Sequence, residues 1–473
     1  MKSKVYMPII ILTSVLVAFS CATAPEPVLS AEQGANSGDS TVYDFEGIWQ
    51  GVIKAGGAEL RLVFHLSPDG EEGLKATADS PDQGATGIPV KKVTASGGSI
   101  QIDVEATAGR YEGEMAADGN TINGVWHQGG GEFAVDLVRI DAVEIVTRPQ
   151  DPVPPFPYVD REIRFTNPVA DISLAGTLTI PAGDEPFPAA VLISGSGAQN
   201  RNEEIMNHRP FLVVADYLTR NGIAVLRYDD RGAAESEGDH TTATSKDFAG
   251  DAWAAAAYLQ SVPEIDSTKI GLIGHSEGGI IAPIIAAEHP EIAYIVLLAA
   301  PGFPGNELLI QQSAAILRTA GASEAQIAEA ADVNTKTHNI VLYEPDNEKA
   351  LEKLKKFLED LGVPASQMDS QLMQVEQLLS PWFRFFLSFD PRTVLELVTC
   401  PVLGVWGTLD VQVPSSSNII EVRAALSGNP DISLHEMEGL NHLFQHAMTG
   451  AVAEYATIDE TFSPEVLELM ASW

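Results

Sequence analysis

Two hydrophobic rhythms divide this chain. Between Tyr43 and Ile140, apolar and polar residues alternate in short runs such as Gly51–Lys54, Glu59–His65, Ser99–Val104, Tyr111–Met115 and Glu132–Ile140, punctuated by Gly-Gly, Asp-Gly and Asn-Gly pairs. A period of two broken by turn dipeptides predicts short antiparallel strands. Residues 41–147 are therefore expected to form a small all-β barrel or sandwich of ~100 residues. Trp49 and Trp126 read as its core, with sugar stacking as the alternative. From Tyr158 the rhythm changes, and buried-type apolar runs alternate with helical segments. That alternation predicts a mostly parallel central sheet with helices on both faces over residues 158–473. Arg161–Thr166 and Ser173–Ile180 read as a leading antiparallel pair. The strands Ala189–Ser194, Ile223–Tyr228, Ile270–Ile273, Tyr294–Ala299, Val402–Trp406 and Ile432–Glu436 follow, with helices at Ser245–Gln260 and Ser463–Trp473.

Two stretches depart from both rhythms. Residues 148–157 carry Pro149, Pro152, Pro154, Pro155 and Pro157, which predicts a stiff, extended spacer. Residues 303–398 read as amphipathic helices. Ser323 with Gln326 makes a capping box, and Leu351, Leu354, Leu358 and Leu361 share a face before Gly362. An insertion of this size between two sheet strands is expected to be a helical cap over the strand ends, where such sheets hold their sites.

Charge removes one class of partner. The 473 residues hold 28 Lys+Arg against 65 Asp+Glu, a formal net charge of -37. So acidic a surface would repel nucleic acid and suits a well-solvated protein. The first 24 residues look like a targeting segment, with Lys2 and Lys4 ahead of an apolar run from Met7 to Phe19. Ala22-Thr23-Ala24 would suit ordinary signal cleavage, whereas Ala18-Phe19-Ser20-Cys21 is a loose lipobox that would leave Cys21 lipidated. Either exit makes the protein exported, periplasmic or membrane-anchored, in a bacterium. Residues 25–40 read as a disordered tether. Cys400 is the other cysteine and reads as a packed thiol.

The candidate chemistry sits in Lys269–Ala287. There Gly274-His275-Ser276-Glu277-Gly278 matches G-x-S-x-G between an apolar strand and an apolar helix. That context makes Ser276 a nucleophile on a tight strand-to-helix turn. A serine nucleophile needs a base, an acid that orients the base, and oxyanion donors. Asp410 and His442 lie on loops after the strands Val402–Trp406 and Ile432–Glu436, in the order nucleophile, acid, base. His446 is the alternative base, and Asp459 is an alternative acid that breaks the order. The backbone N–H groups of Glu277 and Ser196 are the expected oxyanion donors, with Gly197 a further possibility in the same glycine-containing loop. Gly197, Trp382 and Phe386 are candidates for the substrate pocket, although core packing is an equal reading of the aromatic run. Asp230 and Arg231 form a tempting charge pair better read as a loop anchor. Pro283 is expected to kink the helix after the turn. No cofactor and no metal is expected.

These motifs resemble the α/β-hydrolase superfamily, and within it the exported bacterial EstD-like serine esterases. The similarity rests on G-S-G at 195–197, R-Y-D-D-R-G at 227–232, G-H-S-E-G-G at 274–279, the pair L-D-V-Q-V-P and G-L-N-H-L-F-Q, and the closing E-Y-A-T-I-D-E-T-F-S-P-E-V-L. It covers about Tyr158 to Trp473 and implies hydrolysis of small-molecule carboxylic esters through an acyl-enzyme, with Ser276, Asp410 and His442 at the matching positions. Relatives show D-x-R-G-x-G-x-S where this chain has Ala234 in place of the second glycine, which puts that loop's backbone in question. Two other readings stay open. One is a serine peptidase of the prolyl-oligopeptidase-like kind, which would need a carboxylate pair for a peptide's amine. The other is an envelope-binding module with a vestigial hydrolase.

Overall fold

The computed structural model describes residues 43–143 and 148–473, apart from 56–57, 71–72, 82–84, 105–108 and 129–130. The expected signal segment, the tether and Cys21 lie outside the described residues. The described chain falls into two compact units that part close to Thr147.

The first unit is all β. Its strands are β1 Gly47–Ala55, β2 Ala58–Asp69, β3 Gly73–Ser80, β4 Ala85–Pro89, β5 Lys92–Ser96, β6 Ser99–Val104, β7 Gly109–Met115, β8 Thr121–Gln128, β9 Gly131–Ala134 and β10 Leu137–Ile140. They form one antiparallel sheet in the order β4-β3-β2-β1-β10-β8-β7-β6-β5, with β9 on β8. The single run expected at Glu132–Ile140 is two strands, because β9 pairs β8 at 125–128 and β10 then pairs both β1 and the start of β8. Alternate residues face one core around Trp49, Phe64, Ile102, Tyr111, Ile122 and Trp126. Both tryptophans are buried, and Trp49 donates its indole N–H to the Phe45 carbonyl at 2.8 Å. The core reading holds for them, and neither offers a ring face for stacking.

The second unit is α/β. Strands β11 Val159–Asn167 and β12 Ile172–Ile180 form the expected antiparallel pair. There follow β13 Phe187–Ile193, α1 Pro210–Arg220, β14 Ala224–Tyr228, α2 Ser245–Gln260, β15 Ile265–His275, α3 Gly278–Glu288 and β16 Ile295–Leu298. The sheet order is β11-β12-β14-β13-β15-β16 and then β17 Val402–Gly407 and β18 Ile432–Met437, parallel from β14 onward. Strand alternation divides the apolar side chains between two cores. Ala189, Val191, Ile193, Ile270 and Leu272 pack with α2 and α3, while Ala190, Leu192, Val225 and Val405 pack on the other face with α1 and the C-terminal helix. Both faces of the parallel strands are thus covered, which is why they read as continuous apolar runs.

Between β16 and β17 lie α4 Gly305–Thr319, α5 Glu324–Tyr343, α6 Asn347–Asp360, α7 Ala365–Gln377, α8 Pro381–Ser388 and α9 Arg392–Leu395. Ser323 and Gln326 form the capping box of α5, and Leu354 and Leu358 are buried on α6. The chain closes with α10 Ser415–Ala425 and α11 Pro464–Ser472. Pro283 sits inside α3, which runs unbroken from Gly278 to Glu288. The proline segment is not a free spacer at its start. Gln150 accepts the Thr461 and Phe462 N–H groups and donates to the Phe462 carbonyl, and Asp151 binds Arg209 at 2.8 Å. Cys400 is half-buried before β17, and burial pushes its thiol up to about 11.

Candidate active site

The turn after β15 is the centre of the site. Ser276 has φ +53 and donates its N–H to the Leu298 carbonyl at 2.8 Å. A left-handed non-glycine residue costs about 1–2 kcal/mol, so the surroundings must hold it there. They do so by close approach. A Cβ on Gly274 would meet the Gly278 carbonyl oxygen at 2.0 Å, and one on Gly278 would meet the Ile193 carbonyl oxygen at 2.2 Å. Only glycine lets β15, β13 and α3 come this near. Ser276 itself stays half-buried at the head of α3.

The carboxyl ends of β17 and β18 bring the next two candidates together. His442 Nδ1 lies 2.8 Å from Asp410 Oδ2, with both side chains buried. The other Asp410 oxygen accepts the N–H groups of Gln412 and Val413, each at 2.8 Å. A carboxylate accepts only, so the imidazole donates from Nδ1 and keeps a lone pair on Nε2. The loop bearing His442 is locked through Asn441, whose side-chain oxygen accepts the Leu443 and Gln445 N–H groups at 3.0 Å. Among the described residues no hydrogen bond joins the Ser276 hydroxyl to His442, a contact that often tightens only when substrate is bound. The two are held near one another through His275. Its ring centroid is 4.8 Å from that of His442, and its Nε2 is 3.0 Å from the His442 carbonyl oxygen.

Ser196 and Gly197 follow β13 in a loop fastened by Asp230. That carboxylate accepts the Ser194 hydroxyl at 2.8 Å and the Gln199 N–H at 2.9 Å. Burial holds the Asp230 carboxyl well above its usual range. Asp230 does not pair with Arg231 as the sequence suggested. Arg231 turns instead to Asp251 on α2, at 2.6 Å, because both side chains are buried and need a charged partner. Each is a loop anchor, but to a different element. Among the described residues neither the Glu277 N–H nor the Ser196 N–H donates to another protein group. Ala234 takes φ +44, so this loop keeps the left-handed turn without its glycine.

The Glu277 side chain is buried and busy. It accepts the Ser245 hydroxyl at 2.5 Å and the Trp382 indole N–H at 2.7 Å. Burial raises its carboxyl above the usual range, and the hydrogen bonds, one from Ser196 among them, oppose that. Trp382 therefore ties α8 of the insertion to the residue after Ser276, and its ring stacks on Phe386 at 5.2 Å. Phe386 is buried in the core. The alternatives lie elsewhere: His446 is exposed and bound to Glu460 at 2.8 Å, and Asp459 is exposed, 3.8 Å from Arg148. His275, inside the elbow motif, faces the loop of His442, and Glu203 was not anticipated at all. Glu203 Oε1 lies 2.8 Å from His275 Nδ1, a pairing across the chain that no local pattern signals.

The family profile described as serine aminopeptidase, S33 (Hydrolase_4), matches residues 208–446, half of the chain and the stretch that holds Ser276, Asp410 and His442. The chain belongs to this family. This S33-family protein has the α/β-hydrolase fold in its second unit. It is 29% identical to Esterase EstD of Thermotoga maritima over 293 residues, which cover 60% of this chain and 61% of that one, less than two thirds of the relative's length. Among solved structures, the S33-family chain is similar to the Pyrococcus furiosus esterase Pf2001, with 17% identity, 63% of this chain and 90% of that one covered, and a TM-score of 0.40. It is also similar to the α/β hydrolase GrgF from Penicillium sp. sh18, with 20% identity, coverage of 60% and 91%, and a TM-score of 0.40. Among the described residues no group of His, Cys, Asp or Glu is arranged to hold a metal ion.

Proposed function

We propose that this protein hydrolyses carboxylic esters of small molecules through an acyl-enzyme. The Ser276 hydroxyl attacks the carbonyl carbon while His442 Nε2 takes its proton, and the oxyanion is received by the Glu277 and Ser196 N–H groups. The tetrahedral intermediate collapses as His442 returns the proton to the departing alcohol, and water repeats the sequence to free the acid. Asp410 keeps the imidazole in the tautomer that can accept. The observation that carries this reading is the His442–Asp410 pair, at 2.8 Å, beside a left-handed serine on the elbow. Likeness to Esterase EstD favours esters among the substrates this fold serves.

Under this reading the helical insertion is a cap, and Trp382 and Phe386 belong to the wall between cap and nucleophile. A peptidase reading takes its support from the family's description as aminopeptidases. Against it, the buried Glu203 and Glu277 carboxylates beside the elbow already have protein partners, so neither is free for a peptide's amine. The discriminating experiment compares kcat/KM for a series of p-nitrophenyl esters with that for aminoacyl anilides, in the parent and in Ser276→Ala. Esters should be turned over far faster, and Ser276→Ala should lose both turnover and fluorophosphonate labelling while staying folded. Turnover retained in that variant would remove Ser276 from the mechanism. Export, with Cys21 as lipid anchor, is part of the same proposal; Cys21→Ser should release the protein from the membrane fraction, and unchanged fractionation would end that idea.

A further inference from the structure

A second buried histidine–carboxylate pair stands beside His442 and Asp410. Glu203 follows the loop after β13, takes φ +51, and is buried together with His275. Its Oε1 accepts the Gly195 N–H at 2.7 Å and faces His275 Nδ1 at 2.8 Å, while His275 Nε2 faces the His442 carbonyl oxygen at 3.0 Å. Both ring nitrogens thus meet acceptors, and an imidazole that donates from both is an imidazolium. Burial by itself would push His275 down, yet the Glu203 carboxylate beside it reverses that and holds the ring above its ordinary value.

We propose that Glu203 and His275 form a positioning clamp that sets the oxyanion loop, the nucleophile turn and the base loop at their working distances. The three points the pair joins each sit at or next to a reacting group. Gly195 precedes Ser196, His275 precedes Ser276, and the carbonyl belongs to His442 itself. Charge-assisted hydrogen bonds in a buried setting are short and directional, and losing one partner leaves the other charge uncompensated. That makes the pair suited to holding three loops at once, and the left-handed backbone at Glu203 is strain retained for that purpose. The clamp acts through the reacting residues and does not touch substrate. It rests on the ester-hydrolase reading above.

The test measures kcat, KM and melting temperature for Glu203→Ala and Glu203→Gln with a p-nitrophenyl ester. A shift of about 1 Å at reacting groups costs on the order of 100-fold, so Glu203→Ala should lower kcat about 100-fold and leave KM within about threefold. With its oxygen in the place of Oε1, glutamine can accept from Gly195 and from the Nδ1–H of a neutral His275, so Glu203→Gln should recover kcat to within about tenfold of the parent. The clamp is overturned if Glu203→Ala keeps its kcat within about threefold, or if the glutamine variant is folded and as impaired as the alanine one. Should Glu203→Ala fail to fold, His275→Gln carries the test; it cannot bridge both acceptors as the ring does, and an unchanged kcat there overturns the clamp equally. Ser276→Ala in parallel separates the two ideas. Activity in that variant removes the nucleophile assignment, whereas an inactive Ser276→Ala beside a fully active Glu203→Ala removes the clamp alone.

Discussion

The sheet edge around Ser276 and the helical insertion after β16 are held in different ways. At the edge, buried side chains meet directional partners: three donors on Asp410, two acceptors on His275, and three donors on Glu277, Ser196 among them. The backbone there is left-handed at Ser276, Ala299 and Phe444. In the insertion, Leu354, Leu358, Phe383 and Leu387 are buried, while Ser313 Oγ, Thr337 Oγ1 and His338 Nδ1 are buried with no partner. Its left-handed residues are Gly321 and Gly362, which merely end helices. The edge is thus organised by directional bonds that fix geometry to fractions of an ångström. The insertion is organised by apolar contact, which tolerates exchange of residues of similar volume. Under the proposed function, that difference would give chemistry to the first region and selection of substrate to the second.

The contrast can be broken most sharply at Asp410. Asp410→Asn should lower kcat about 10⁴-fold, because the amide favours the wrong imidazole tautomer, while the melting temperature moves little. A folded variant with the parent's kcat would take Asp410 out of the reaction.

Acid should reach both regions through neutral histidines that are buried or, at His240, half-buried. Burial pushes His208 and His240, in the sheet region, and His338, in the insertion, down to about 4. Each takes up a proton more readily when unfolded, so its contribution is intact above about pH 6.5 and is lost as the pH falls toward 4. The slope is about 1.4 kcal/mol per pH unit for each histidine in that window. Denaturant midpoints between pH 7 and 4.5 should fall, and His208→Gln should flatten the curve. An unchanged slope in that variant would show that His208 titrates normally.

A smaller effect belongs to the bond that joins the regions. Trp382→Phe keeps the ring against Phe386 but leaves Glu277 short of one donor, which should cost about 1.5–3 kcal/mol. The same variant should shift ester chain-length preference more than it lowers kcat on the best substrate; equal loss on every ester would contradict the division of labour. The smallest expected effect is a gain. Ala234→Gly relieves a left-handed alanine at φ +44 and should stabilise by about 1 kcal/mol, read from the denaturant midpoint. Destabilisation would show that the alanine methyl packs usefully.

Much of the fold was legible because its signals are local. Turn dipeptides marked the β unit, apolar runs marked the parallel strands, and α2 spans the residues that its pattern predicts. The order of Ser276, Asp410 and His442 follows from strands that end on one edge. Side-chain partnerships were less legible. Arg231 was read against its neighbour Asp230, yet it pairs across 20 positions with Asp251. The partner of His275 was not legible, because Glu203, 72 positions earlier, carries no motif of its own.

The sequence alone determined the element order, the strand-to-helix turn at Ser276, and the need for glycine at 274 and 278, since each depends on residues adjacent in the chain. Tertiary structure alone decided which buried charges answer one another. A carboxylate taken out of water must find a donor wherever packing brings one, and that choice is made among elements far apart in the chain. Glu203 meeting His275, and Trp382 meeting Glu277, are choices of that kind.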